Sequence, residues 1–155
     1  MNHSPPNSPT TISAAEARRF QELVFGLYQC CQHRFAEQSR QFDLPDAELR
    51  CLRLFSDNHP LTAKQIARQM GVVKSRISKI IDGLSGRGLI RRDQDPDDSR
   101  VWRLSLTPEG RAKLAGINRR VAAANQKILA TLSPAERRSL LIHLEMLQKS
   151  MRVAA

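Results

Sequence analysis

Cysteine, aromatic residues, acid and long apolar runs are all scarce in this chain. Three cysteines in 155 residues is an odd count, and two of them, Cys30 and Cys31, are adjacent. A disulfide framework is therefore excluded, and a reducing cytoplasm is the expected location. Aromatic residues make up 5% of the chain and hydrophobic residues 41%, so the core is expected to be aliphatic. No apolar run approaches the ~20 residues that a membrane span requires. The opening "MNHSPPNSPTT" lacks the basic region and apolar stretch of a secretory leader. Its Pro, Ser and Asn content predicts a disordered tail over residues 1–12. Acid is the other shortage: 15 Asp and Glu stand against 25 Lys and Arg, a formal net charge of +10. That excess predicts a polyanionic partner, nucleic acid first and an anionic membrane surface second. No nucleophile–base pair, phosphate-cradling glycine loop or carboxylate pair stands in a recognisable setting, so no enzyme, cofactor or metal site is expected.

What the chain does contain is a series of helix signals. "SAAE" (Ser13 to Glu16), "TAKQ" (Thr62 to Gln65) and "SPAE" (Ser133 to Glu136) have capping-box spacing. In such a box a hydroxyl accepts from the backbone N–H three residues on and a carboxylate or amide reaches back. "TPEG" (Thr107 to Gly110) offers a capping hydroxyl and a proline at the first helical position. Apolar residues at helical spacing predict a first helix (Phe20, Leu23, Val24, Leu27, Cys31, Phe35) and a second (Leu49, Leu52, Leu54, Phe55). Ile66, Ala67 and Met70 mark a short third helix stopped at Gly71, and Ile77, Ile80, Ile81 and Leu84 a fourth closed by Gly88. The period then changes. "LIRRDQ" and "RVWRLSL" flank the turn "DPDD", and Trp102, Leu104 and Leu106 alternate with Arg103 and Ser105, the pattern of a hairpin with one buried face. Two long helices follow, carrying Leu114, Ile117, Val121 and Ile128, then Leu140, Leu144, Leu147 and Met151. The fold expected is mainly α: six helices and a small β-hairpin, the third and fourth helices forming a helix-turn-helix and the hairpin its wing.

Position of the charge separates the candidate partners. Between Thr62 and Arg92 lie eight bases and a single acid, Asp82, which places +7 of the net +10 in about a fifth of the chain. In a helix-turn-helix the N-terminal half of the second helix meets base edges in the major groove, and flanking bases neutralise phosphates. Candidate DNA contacts are Thr62, Lys64, Lys74, Ser75, Arg76, Ser78, Lys79 and Arg91. A membrane surface fits less well, because the apolar face here is expected to be buried and no aromatic residue lies on the basic stretch.

The segment "LTAKQIARQMGVVKSRISKIIDGLSGRGLIRRDQDPDDSRVWRLSLTPEGRAKL", residues 61–114, resembles the MarR family of bacterial transcriptional regulators, above all in "GLIRR", "DPDDSR" and "LTPEG". The resemblance implies one domain over 13–152. Helices in 13–42 and 107–152 would pair two copies into a homodimer, and 45–106 would form a winged-helix lobe with its wing at 89–106. It implies a pseudo-palindromic double-stranded DNA partner, a cytoplasmic location and, by family habit, repression. The family's wing arginine falls on Arg100 and its wing aspartate on Asp98. The carboxylate would orient that arginine for the minor groove, or pin it to Arg91 or Arg92. Asp93, Asp95 and Asp97 read as solvated turn residues, and Trp102 as a core anchor for the wing. Two departures stand out. Val73 occupies the position where many members carry a Ser or Thr cap. Gly83 and Gly86 lie inside the fourth helix, each costing about 1 kcal/mol relative to alanine.

The resemblance also implies a small-molecule effector, often aromatic or phenolic in the family, in a cleft walled by Phe20, Leu27, Tyr28, Phe35 and Phe55. Two alternatives stand beside this reading: a thiol redox regulator using Cys30, Cys31 and Cys51, and a non-specific architectural nucleic-acid binder. The hydroperoxide-sensing branch carries its cysteine where this chain has Val24, so inert packing is the favoured role of the thiols. Cys30 and His33 have the spacing of a ligand pair, but no second cluster completes a tetrahedral set.

Overall fold

The computed structural model describes residues 11–55, 59–96, 98 and 100–153. The tail expected over 1–12 lies, up to residue 10, outside them. The elements run α1 (Ala14–Phe42), α2 (Asp46–Arg53), β1 (Leu61–Thr62), α3 (Ala63–Met70), α4 (Lys74–Gly86), β2 (Ile90–Gln94), β3 (Trp102–Leu106), α5 (Pro108–Ala130) and α6 (Pro134–Val153). The six helices and the wing are as the sequence predicts. The chain divides into two compact units, Met1–Leu49 and Arg50–Ala155.

In the first unit α1 opens on the expected box. Ser13 Oγ accepts from the Glu16 N–H at 3.2 Å, and Glu16 Oε2 accepts from the Ser13 N–H at 2.9 Å. The helix ends at Asp43, whose φ of 51° is left-handed, a conformation that the short polar side chain of Asp tolerates. The Leu44 N–H then closes onto the Ser39 carbonyl at 3.0 Å. The apolar stripe of α1 is not a buried one: none of its residues is buried, and Cys31 is exposed with Cys30.

The second unit holds the aliphatic core. Cys51, Leu52 and Phe55 are buried with Ile66 of α3, the four apolar residues of α4, Leu89, Ile90, Leu104 and Leu106 of the wing, and Leu114 and Ile117 of α5. Cys51 is thus packing material, as expected. The sheet has three antiparallel strands in the order β1-β3-β2, with Leu61 opposite Leu104 and Arg92 opposite Leu104 from the other side. The sequence predicts only the hairpin. β1 is two residues long, and Thr62 serves both as its last residue and as the cap of α3, so no period announces it.

Two helix ends are set by glycine. Gly71 (φ 64°) and Gly88 (φ 69°) are left-handed, and each lets the next N–H reach back five residues: Val72 to the Ala67 carbonyl at 3.1 Å, Leu89 to the Leu84 carbonyl at 3.0 Å. The sharp turns that these allow join α3 to α4, and α4 to β2. The start of α5 is clamped to the second of them. Thr107 Oγ1 accepts from the Gly110 N–H at 2.9 Å and donates to the Gly88 carbonyl at 2.6 Å, while the Thr107 N–H donates to the Leu89 carbonyl at 3.1 Å.

Candidate nucleic-acid interface

Helix α4 turns its apolar residues inward and leaves its basic ones out. Ile77, Ile80, Ile81 and Leu84 are buried, whereas Lys74, Ser75, Arg76, Ser78 and Lys79 are exposed. The arrangement follows from spacing alone, since burying the i, i+3, i+4, i+7 face of a helix points the remainder at solvent. α3 packs against α4 and against β3, and α4 against β2, so helix-turn-helix and wing form one lobe.

The structure sorts the bases of this lobe into two groups. Arg91 Nε pairs with Asp93 Oδ2 at 3.0 Å, and Arg92 pairs with Asp82 of α4. Lys64, Arg68, Lys74, Arg76, Lys79 and Arg100 make no ion pair among the described residues. Two predicted hydroxyl contacts are already engaged. Thr62 Oγ1 accepts from the Gln65 N–H at 3.3 Å and donates to Gln65 Oε1 at 3.0 Å, so this side chain holds the start of α3. The Ser78 hydroxyl donates to the Lys74 carbonyl at 3.3 Å, leaving only its acceptor capacity for a ligand.

The wing tip is organised by its acids, in a way the sequence reading placed differently. Asp98 Oδ1 accepts from the backbone N–H of Arg100 at 3.0 Å, and the Asp98 carbonyl accepts from the Val101 N–H at 2.9 Å. The carboxylate therefore fixes the turn that carries Arg100. It neither pairs with the guanidinium nor pins it to Arg91 or Arg92, which have partners of their own. Asp93 is exposed, as a solvated residue would be, but it lies on β2 and pairs with Arg91, whereas Asp95 is not a solvated residue. Asp95 Oδ2 pairs with Arg103 Nε at 2.5 Å with the carboxylate side chain only 13% exposed, and the Asp95 N–H donates to the Val101 carbonyl at 2.9 Å. Asp97 lies outside the described residues.

Trp102 corrects a second expectation. It is 51% exposed rather than a core anchor. It faces Gln94 across the hairpin, at the far end of β3 from Leu104 and Leu106. With Ser78, Asp82, Arg92 and Leu104 it lines an open cavity of about 380 Å³ between α4 and the wing. Sequence reasoning also missed the part played by Asp82. As the lone acid between Thr62 and Arg92 it carried a signal, because a carboxylate in so basic a stretch has a strong electrostatic reason to find a partner.

The five residues expected to wall an effector cleft are spread over both units. Phe20, Leu27 and Tyr28 are exposed on α1 and Phe35 is half-buried there. Phe55, 1% exposed, is closed into the core of the second unit and offers no surface to a ligand. No group of three or more His, Cys, Asp and Glu among the described residues can hold a metal ion, and none of their helices is long and apolar enough to cross a membrane.

Known proteins share this lobe. The family model that matches is that of the MarR family, over residues 44–102. A protein of Thauera aromatica, named as a transcriptional regulatory protein for the hcr operon, is 38% identical over 90 residues, 58% of this chain and 54% of that one. The chain spans about half the length of this curated relative and of two others from Bacillus subtilis. Among solved structures, a MarR family protein from Bacillus stearothermophilus superposes with a TM-score of 0.84 at 16% identity, covering 92% of this chain and 99% of that one. FabT of Streptococcus pneumoniae, solved in complex with DNA, gives 0.77 at 19% identity, covering 90% of this chain and 99% of that one. At those identities the likeness is one of fold. Together with the match over residues 44–102, it shows that the helix-turn-helix and wing are similar to the MarR family and that the chain has the fold of solved MarR proteins.

Proposed function

We propose that the protein is a sequence-specific, double-stranded-DNA-binding transcriptional regulator acting as a cytoplasmic homodimer. The observation that carries this reading is the sorting of charge in the lobe. Lys74, Arg76 and Lys79 on α4, Lys64 and Arg68 on α3, and Arg100 at the wing tip have no acidic partner among the described residues, whereas the bases on β2 are neutralised internally. Side chains around the N-terminal half of α4 are set to enter a major groove, with Ser75 and Arg76 aimed at base edges. Arg100 is set to enter the adjacent minor groove, where narrow, A·T-rich segments concentrate negative potential. Lys64, Arg68, Lys74 and Lys79 neutralise phosphates, which makes binding strongly salt-dependent. Thr62 and Asp98 act at one remove, by fixing α3 and the wing turn. The relatives named as transcriptional regulators, and the DNA complex of a structural neighbour, support the same reading.

The test compares affinity for the duplex upstream of the chain's own gene with affinity for a scrambled duplex, both at ~150 mM salt. Preference for the upstream duplex is expected. Equal affinities would establish a non-specific architectural binder instead. Arg76→Ala should cost about 1–3 kcal/mol and relax discrimination if Arg76 reads a base. A loss that is uniform across sequences would make it a phosphate contact. Arg100→Ala should weaken binding with helix content unchanged, and unaltered affinity would remove the wing from the interface.

Repression, and release by a small aromatic or phenolic effector, complete the proposal. An effector lowers DNA affinity only by preferring lobes spaced wrongly for successive major grooves. Phe20, Leu27, Tyr28 and Phe35 remain its candidate wall. Release by peroxide of the wild type, but not of a Cys30/Cys31/Cys51 triple Ser variant, would replace this effector by a thiol switch.

A further inference from the structure

Val73 supplies neither a cap nor core packing where it stands. It is the N-cap of α4, with φ −72° and ψ 156°, and no side chain caps that helix. Its own side chain is 70% exposed. The other long helices, and α3, open on hydroxyls that do cap: Ser13, Thr62, Thr107 and Ser133. Valine is among the poorest N-cap residues, and exposing its two methyls adds nothing to stability. The position is nonetheless rigid. The Val73 carbonyl accepts from the N–H groups of Arg76 at 3.1 Å and Ile77 at 3.2 Å, and the turn before it is fixed by left-handed Gly71. A β-branched side chain on a fixed backbone has few rotamers left to lose. It is followed directly by exposed Lys74, Ser75 and Arg76, so an apolar surface sits at the edge of a cationic one.

We infer that Val73 is a specificity-determining residue which reads the C5-methyl group of a thymine in the major groove. This rests on the DNA-binding reading above and names one base class within it. Thymine is the only base that presents an apolar group in the major groove, and small apolar side chains are its matching contact. Cytosine and uracil both carry only hydrogen at C5 and would leave the valine methyls facing a gap, and cytosine would also replace the O4 acceptor by an amino donor.

The test begins with duplexes selected from a random library by the full-length wild-type protein. Each thymine of the preferred site is then replaced singly by uracil, and affinity is measured by fluorescence anisotropy. One thymine per half-site should show a loss of about fourfold on demethylation, the effect of one buried methyl. Val73→Ser should abolish that sensitivity while raising the melting temperature through the cap that it restores, and Val73→Ala should abolish it without the thermal gain. If selection yields no preferred sequence, the sequence-specific reading on which this inference rests falls. If a preferred sequence is bound and both variants keep the same response to uracil as the wild type, the methyl contact is overturned and the DNA-binding reading stands.

Discussion

A Cβ added at Gly110 would lie 1.9 Å from the Leu89 carbonyl oxygen and 2.9 Å from its carbon. That oxygen also accepts the Thr107 N–H, so it cannot move aside without loosening the start of α5. Gly110→Ala should therefore destabilise the lobe by about 1–3 kcal/mol, the range for forced overpacking, read as a lower urea midpoint at unchanged slope. An unaltered midpoint would show that the clamp yields freely. The sequence identified Thr107 and Pro108 as a helix start but gave no reason for the glycine, because the atom that excludes a side chain belongs to a turn 21 residues upstream. Trp102 shows the same limit from the other side. Its alternation with Leu104 and Leu106 is genuine, but period reports only which face a residue shares. It does not report whether the core still lies beneath that face at the end of the strand. The Asp98 contact was out of reach for a third reason: a carboxylate two residues before an arginine can meet its backbone or its side chain, and spacing does not choose.

At the scale of elements, legibility followed local chemistry. Five helix starts or stops were readable because the residues that set them are adjacent in sequence: the boxes at Ser13, Thr62 and Ser133, and the glycines at 71 and 88. Two of the boxes titrate. The Ser13 backbone and side-chain hydrogen bonds hold Glu16 below its ordinary value of 4.5, and Ser133, through its side chain first, does the same to Glu136. A carboxylate whose folded pKa is depressed contributes stability that is fully present above 4.5 and disappears as pH falls through the folded value. Helix content should thus fall reversibly below about pH 4.5, measured by far-UV circular dichroism. Glu16→Gln/Glu136→Gln keeps both boxes but removes their titration, so part of that acid loss should vanish. An acid transition identical to the wild type would assign the loss to other groups. β1 and the wing's internal pairs were less readable, since their partners are distant. Asp95→Asn illustrates the consequence. It breaks the pair with Arg103 at the neck of the wing, and should speed amide exchange at Arg100 and Val101 several-fold. Global stability should change by less than about 1 kcal/mol, because Arg103 is itself 43% exposed. Exchange at those amides no faster than in the wild type would mean that the turn is held by Asp98 alone.

At the scale of the whole molecule, the stripes on α1 and α6 are the unresolved demand of the fold. The sequence shows them plainly, yet neither helix has a buried residue, and Leu140, Leu141, Leu144 and Met151 stand exposed on α6 with Phe20, Leu23 and Leu27 exposed on α1. An apolar stripe left open along a helix marks an interaction site, and the proposed homodimer supplies a partner for each of the two. Two lobes held at a fixed spacing bind two half-sites in one event, which raises affinity over a single lobe by 10²–10⁴ without any new contact. Leu140→Glu/Leu144→Glu places two carboxylates where the dimer would exclude water, a burial that charge resists strongly. Sedimentation equilibrium at micromolar concentration should then give the mass of one chain where the wild type gives two. Binding to the full site should fall by at least a hundredfold, while an isolated half-site, bound weakly by both proteins, should be bound alike. If the variant remains a dimer, α6 is not the seam. If it is a monomer that still grips the full site as tightly as the wild type, each lobe binds on its own account and the twofold arrangement carries none of the affinity.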